Sequence, residues 1–271
     1  MDGGTGIHPG IAADAGTGTP ELFHAPSSYY SMIARLALTE ARIPFCARPI
    51  DIHRRLQHQE PAYVRLNPAM TVPCLRVGER VLADSRAILL AAFPGTILDE
   101  AAAGRLAAHY GFPIDALTFG WLMRWNPLAR RLLPRRLEAI RRMLLARAER
   151  HPELAAAYRE RAAVFAQRVA AFDPATARAR FEQLRERALA MLDGLERDIA
   201  DGRFDPSSDY GPIHVLWTVF LARMQFCGLG RAIDARPRAA ACYAAFRARP
   251  SFRQADIWPR LRPRLLLALI G

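Results

Sequence analysis

The polar break Pro26-Ser27-Ser28 leads through Tyr29 and Tyr30 into a stretch ending near Arg42, in which Ile33, Leu36, Ala37 and Ala41 share one helical face. Hydroxyls of Ser28, Tyr29 and Tyr30 are thereby gathered at the approach to a helix N-terminus, where unpaired backbone N–H groups and the helix dipole favour negative charge. A second such place is Asp84-Ser85, either of which can cap a helix running to Phe93 before Pro94-Gly95 ends it. Cys46, Cys74, Cys227 and Cys242 form no C-x-x-C pair and show no Cys/His spacing of a zinc site. Reduced thiols and no metal are expected.

The chain has 271 residues and a net charge of +12. Clustered cations can bind nucleic acid or anionic membrane by releasing counterions. Here every basic side chain counted is Arg, spread over an Ala-rich chain, which points to a solvated surface and to no nucleic-acid or membrane partner. The densest basic stretch, Arg130 to Arg150, interleaves Leu133, Leu137, Ile140 and Leu144 with its arginines and reads as an amphipathic helix with a charged outer face. The terminal apolar run from Leu265 to Ile270 is too short to span a bilayer and is expected to dock on the protein. Residues 1–19 fit neither a signal peptide nor a span; a disordered leader in a cytoplasmic protein is expected.

The elements that must position those hydroxyls follow from pattern. Glu21 to Ala25 is a short strand candidate. After the helix to Arg42 and the stop at Pro44, Phe45 to Ile50 reads as a second strand, its prolines marking an edge. A short helix near Ala62 to Leu66 precedes a hairpin, Val72 to Val77 and Arg80 to Leu82, turned at Gly78-Glu79. From Asp99 onward helical periodicity takes over, at about 101–124, 134–149, 152–171, 174–201, 213–227 and 237–248. The expected fold class is an α/β thioredoxin-like domain over residues 20–96 followed by an all-α domain over 97–271.

Three segments carry a resemblance to the glutathione transferase family. The run from Leu22 to Leu38 is similar to the strand, catalytic loop and first helix of zeta-class and dehalogenase-type members. Asn67-Pro68-Ala69-Met70-Thr71-Val72-Pro73-Cys74-Leu75 and Asp84-Ser85 stand where the family has its cis-proline segment and its Glu/Asp-Ser pair. The helical half resembles tetrachlorohydroquinone dehalogenases around His151, Leu216 to Arg223 and Arg247 to Phe252. The resemblance implies glutathione as co-substrate. It assigns Ser28 to the thiolate, with Tyr29 and Tyr30 as rivals. It also implies backbone pairing of the cysteinyl unit at Val72 beside cis Pro73, and Asp84 with Ser85 on the γ-glutamyl group. His53, Arg54, Gln57 and Arg65 are candidates for the glycine carboxylate, and no spacing rule selects among them. A homodimer is implied by likeness alone.

A small apolar electrophile is expected in a pocket drawn from Tyr110, Trp121, Arg124, Trp217 and Phe220, with Arg223 nearby. Tyr30 stands where the resembled dehalogenases and zeta-class isomerases carry a cysteine. A phenol cannot form the mixed disulfide of a reductive dehalogenase, so that cycle is not expected, and maleylacetoacetate isomerisation is put in doubt. At Tyr210 to His214 the family's Ser/Thr cap and following Asp are replaced, which predicts an unchanged fold with a weaker local core. The alternative function is a noncatalytic glutathione- or ligand-binding protein on the same fold.

Overall fold

A computed structural model describes residues 10–11 and 18–260. Strand β1 (Glu21–His24) alternates half-buried and buried residues, as a strand with one face on a core must. Helix α1 (Tyr29–Glu40) crosses over to β2 (Cys46–Pro49), which pairs with β1 in parallel at the sheet edge where its proline is tolerated. A 3-10 turn (Gln57–Gln59) and α2 (Pro61–Leu66) lead to β3 (Cys74–Val77) and β4 (Arg80–Leu82), and then to α3 (Ser85–Ala92). The hairpin between β3 and β4 turns at Gly78, whose φ of 58° suits a residue without a Cβ. The sheet order is β2-β1-β3-β4, with β3 antiparallel to both neighbours, which is the thioredoxin-like arrangement.

Helices follow: α4 (Glu100–Tyr110), α5 (Ile114–Trp125), α6 (Pro127–Arg150), α7 (Ala155–Ala171), α8 (Ala177–Ala200), α9 (Pro212–Phe226), α10 (Gly230–Asp234), α11 (Pro237–Ala248) and α12 (Pro250–Gln254). The single helix expected over 101–124 is two, because Gly111 to Pro113 break the backbone ladder. The helix expected from 134 begins seven residues earlier, where Asn126 caps it by accepting from Ala129 N–H (3.0 Å) and Pro127 takes the first turn. Pro134 is accommodated inside it. At Asp173 the carboxylate accepts from Ala175 N–H (3.1 Å), so a capped turn precedes α8, which starts at Ala177. No helix among the described residues is long and apolar enough to cross a membrane.

Helix α9 is buried on all faces and packs against both α1 and α4. At its start His214 does the work of the missing Asp. Its Nδ1 accepts from Gly211 N–H (3.2 Å), which leaves Nε2–H to donate to the Asp205 carbonyl (3.0 Å). The expected weakness is thus repaired by a different side chain. Ile11, within the expected disordered leader, is 1% exposed and belongs to the main core cluster, so at that position the leader reading is corrected. The apolar run Leu265 to Ile270 lies outside the described residues.

His109 is buried at 3% exposure against Trp217 and Phe220, and neither ring nitrogen has a partner. Desolvation alone lowers its pKa from 6.5 to about 3. The folded value lies below the unfolded one, so the associated stability is present above pH 6.5 and is lost as pH falls toward 3. Replacing His109 by Phe removes both the orphaned nitrogens and this titration. The variant is expected to match or exceed the wild type at neutral pH and to gain about 2 kcal/mol relative to it between about pH 8 and about pH 5. Urea titrations at the two pH values check this; parallel acid loss in both proteins refutes it.

Candidate functional site

Ser28 is the N-cap of α1, with extended backbone (φ −70°, ψ 127°), and its Oγ accepts from Ser31 N–H at 3.3 Å. The turn is closed by Ser28 N–H donating to the Ala25 carbonyl (3.1 Å) and by Ala25 N–H donating to Ser31 Oγ (3.2 Å). A capping oxygen that only accepts still has its own O–H to donate. Ser27, which the sequence reading passed over, has its Oγ 2.9 Å from Nε2 of His53. Burial first, and then the nearby Arg136 cation, lower the His53 pKa to about 4, so the ring is neutral near pH 7.

Val72 and Pro73 are joined by a cis peptide bond. Asn67 shapes the approach, its Nδ2 donating to the Thr71 carbonyl (2.9 Å), to which Tyr63 also donates (2.6 Å). The ladder between β1 and β3 begins at Cys74, so the backbone N–H and C=O of Val72 stand outside it and can pair with an extended peptide.

Ser27, Ser28, Tyr29, Tyr30, His53 and Val72 border one cavity of about 300 Å³. Its far side is the α6–α7 hairpin and α5, which contribute apolar surface from Phe119, Trp121, Leu137, Ile140 and Phe165. Trp121 reaches it over Gly228 (φ 77°), where an added Cβ would meet the indole nitrogen at 3.2 Å. Arg223 crosses from α9, 5% exposed, donating to the Ser27 carbonyl (3.0 Å) and lying over the Tyr29 and Phe226 rings. It brings a fixed cation against the serine turn. Tyr29 is buried with its hydroxyl unpartnered, and desolvation raises its pKa. Tyr30 is half-buried, stacks on Tyr110 at 6.2 Å, and has its pKa raised by burial to about 12. Both phenols therefore stay protonated at neutral pH and can only donate or accept hydrogen bonds.

Other residues singled out from sequence are placed elsewhere. Asp84 is exposed and caps α3 by accepting from Ala87 N–H (2.8 Å). Ser85 is 3% exposed, with its hydroxyl 3.2 Å from the Tyr110 hydroxyl. Arg54 is exposed outside the cavity, Gln57 Oε1 accepts from Asp51 N–H (2.8 Å), and Arg65 pairs with Glu153 (3.1 Å). Four of the five expected pocket residues are corrected. Tyr110 lies behind Tyr30, bonded to Ser85. Trp217 and Phe220 are core, 4% and 0% exposed, because α9 is buried all round. Arg124 pairs with Glu182 and stacks on Trp125 beside a separate surface depression.

Arg136, Arg161, Arg168, His58 and Asp115 are site residues the sequence reading missed. One signal was available: Arg161, Phe165 and Arg168 recur at helical spacing on the apolar face of α7. No group of His, Cys, Asp and Glu among the described residues is arranged to hold a metal.

A family model described as glutathione S-transferase, N-terminal domain, matches residues 27–92. The chain is 30% identical over 253 residues to a tetrachloro-p-hydroquinone reductive dehalogenase of Sphingobium chlorophenolicum, covering 88% of this chain and 96% of that protein. It is 25% identical to glutathione S-transferase TCHQD of Arabidopsis thaliana, covering 86% and 88%. Among solved structures, glutathione S-transferase III in apo form superposes with a TM-score of 0.57 at 22% identity, over 91% of this chain and 99% of that one. Glutathione S-transferase I bound with lactoylglutathione gives 0.51 at 18% identity, over 88% and 99%. With near-complete coverage of its dehalogenase relative and the thioredoxin-like sheet preceding a helical half, the chain belongs to the glutathione transferase family.

Proposed function

We propose that the chain activates the thiol of glutathione at the Ser27-Ser28 turn and delivers the thiolate to a small electrophile held under the α6–α7 hairpin. What carries the reading is that Ser28, at the N-cap of α1, and Val72, beside the cis proline, border one cavity whose opposite wall sets apolar side chains of α5, α6 and α7 among a few charged ones. A free thiol titrates near 8.5, and a hydroxyl donor, a helix N-terminus and the buried Arg223 cation each favour its ionised form. The thiolate sulfur then forms a bond to an electrophilic carbon as a leaving group departs with its electron pair, or adds to an activated double bond. His53 and the backbone of Val72 are assigned to glutathione. Asp84 and Ser85 keep the γ-glutamyl group as their proposed ligand, through the N-terminus of α3 and the exposed Asp84 carboxylate.

The dehalogenase relative's name describes a reductive reaction. For this chain conjugation or addition is favoured, since Tyr30 and not a thiol borders the cavity, and Cys74, Cys227 and Cys242 are buried away from it. The protein is assigned to the cytoplasm as a homodimer on family likeness, with the domain division at residues 96 and 97. The test is a thiolate titration of bound glutathione together with turnover of chlorodinitrobenzene before and after alkylation of the protein's cysteines. The expected result is a bound-thiol pKa about one to two units below the free value and turnover that survives alkylation. An unshifted thiol with no turnover would leave the noncatalytic glutathione-binding reading in its place.

A further inference from the structure

Tyr30 is the second residue of α1, two positions beyond Ser28, and borders the same cavity. Its ring is set between two others: Tyr110 stacks on it at 6.2 Å, and Tyr29 meets it edge-on at 5.3 Å. The charged groups that act on its phenol belong to the opposite side. Burial first, and then the Asp115 carboxylate of α5, raise its pKa to about 12, with Arg168 of α7 pulling the other way. A side chain rooted beside the thiol turn therefore carries its hydroxyl toward the helical wall, where the electrophile is assigned.

That hydroxyl has a proton to give. Asp115 is already held by Arg168 at 2.6 Å and makes no hydrogen bond with the phenol. Among the described residues the Tyr30 hydroxyl has no hydrogen-bond partner, and it is not enclosed as the Tyr29 hydroxyl is. Other hydroxyls around the cavity are committed. Ser27 is engaged with His53, Thr118 donates to the Ile114 carbonyl (2.8 Å), and Thr71 accepts from Asn67 (3.2 Å) beside Val72, on the glutathione side. With Ser28 given to the thiolate, Tyr30 is left as the donor facing the second substrate.

A donor in that place serves one kind of reaction more than another. When a thiolate adds to a carbon–carbon double bond conjugated to a carbonyl, the sulfur lone pair forms the new bond to the β-carbon and the π electrons move to the carbonyl oxygen. Negative charge appears on that oxygen, away from the sulfur, and a hydrogen bond from a phenol strengthens as it grows. The α-carbon then takes a proton from water and the electrons return from oxygen. The hydroxide left behind neutralises the proton that the thiol gave up. Displacement of a halide from saturated carbon forms no such oxyanion, and the same donor contributes nothing to it.

We propose that Tyr30 is a catalytic hydrogen-bond donor to the electrophile, not to the thiol, and that the second substrate is an apolar α,β-unsaturated carbonyl compound whose oxygen it meets. This rests on the reading of the cavity as the site of thiol attack. It gives the phenol that stands in the cysteine's place a role of its own.

The experiment follows conjugation of glutathione to benzylideneacetone and to benzyl chloride in the wild type and in Tyr30→Phe. Both electrophiles are aromatic, and only the first has an acceptor oxygen. The variant is expected to lose about 30-fold in kcat/KM with the enone and no more than about threefold with the chloride. The pKa of the bound thiol should be the same in both proteins. A second readout needs no turnover: the carbonyl stretch of the saturated ketone benzylacetone, bound with S-methylglutathione, should lie lower in the wild type than in Tyr30→Phe. Equal losses for the two electrophiles, no loss with the enone, or one carbonyl frequency in both proteins overturns the proposal. So does a thiol pKa that rises in Tyr30→Phe, which would give the phenol to the sulfur. If the wild type conjugates neither compound, thiol activation has failed, and the carbonyl band alone decides the role of Tyr30.

Discussion

Replacing Ser28 by alanine is expected to lower kcat/KM for glutathione conjugation by about 100-fold and to move the acidic limb of the pH–rate profile upward by about one to two units. The magnitude follows from removing one donor aimed at a developing or resting anion in a site shielded from water. Ser28 is suited to that task because its oxygen is already fixed as an acceptor for Ser31 N–H, which aims the remaining O–H away from the helix backbone. The N-terminus of α1 and Arg223 stay in place in the variant, so activity should fall without vanishing. Ser27→Ala is the necessary comparison. Its hydroxyl is engaged with His53, and its loss should cost no more than about fivefold if it only orients that ring. The inverse ranking, with Ser27→Ala crippled and Ser28→Ala near wild type, would transfer the thiolate to the Ser27–His53 pair. Unchanged turnover and an unmoved acidic limb in Ser28→Ala would remove it from the chemistry.

The route from sequence to this site was open where local pattern and local chemistry coincide. The hydroxyl-rich break before an amphipathic helix could be read directly, and so could the hairpin turned at Gly78. The cap at Asp84 has the geometry its sequence position implied. What stayed closed depended on packing. Helical spacing shows that Arg161, Phe165 and Arg168 share a face, but only the pairing of α7 with α6 decides that this face borders a cavity. The arginines of α6 posed the same difficulty: a charged outer face was expected, yet Arg136 and Arg147 turn back to the carbonyls of His53 and Gln59. Trp217 and Phe220 were misplaced because α9 is apolar on every side, so no stripe distinguishes cavity from core. His214 could not be recognised as a cap residue until its second nitrogen was seen to have the Asp205 carbonyl to donate to.

Arg35→Leu is expected to destabilise the fold by about 3–5 kcal/mol, the range for breaking a buried, fully hydrogen-bonded charge. Arg35 is 5% exposed on α1 and its fork spans two distant parts of the chain. Nε donates to the Ala255 carbonyl at 2.7 Å and Nη2 to those of Asp256 at 3.0 Å and Pro26 at 3.2 Å. Nη1 donates to Nδ1 of His24 at 3.1 Å, an acceptor kept neutral because burial, and then Arg35 itself, lower its pKa to about 4. Leucine would fill part of the volume and leave those carbonyls buried and unmet. Lysine keeps the charge but cannot present a planar fork to several acceptors at once, so Arg35→Lys should recover less than half of the loss. The same fork holds the residues immediately before Ser27 and Ser28, which couples stability to chemistry. At temperatures where the variant is still folded, kcat should fall while an exposed control, Arg54→Ala, stays near wild type. Urea unfolding and kcat measured on the same preparations decide the matter. A stability loss with unaltered kcat would make Arg35 a staple of the C-terminal segment alone, and no loss of either would mean that water satisfies these carbonyls.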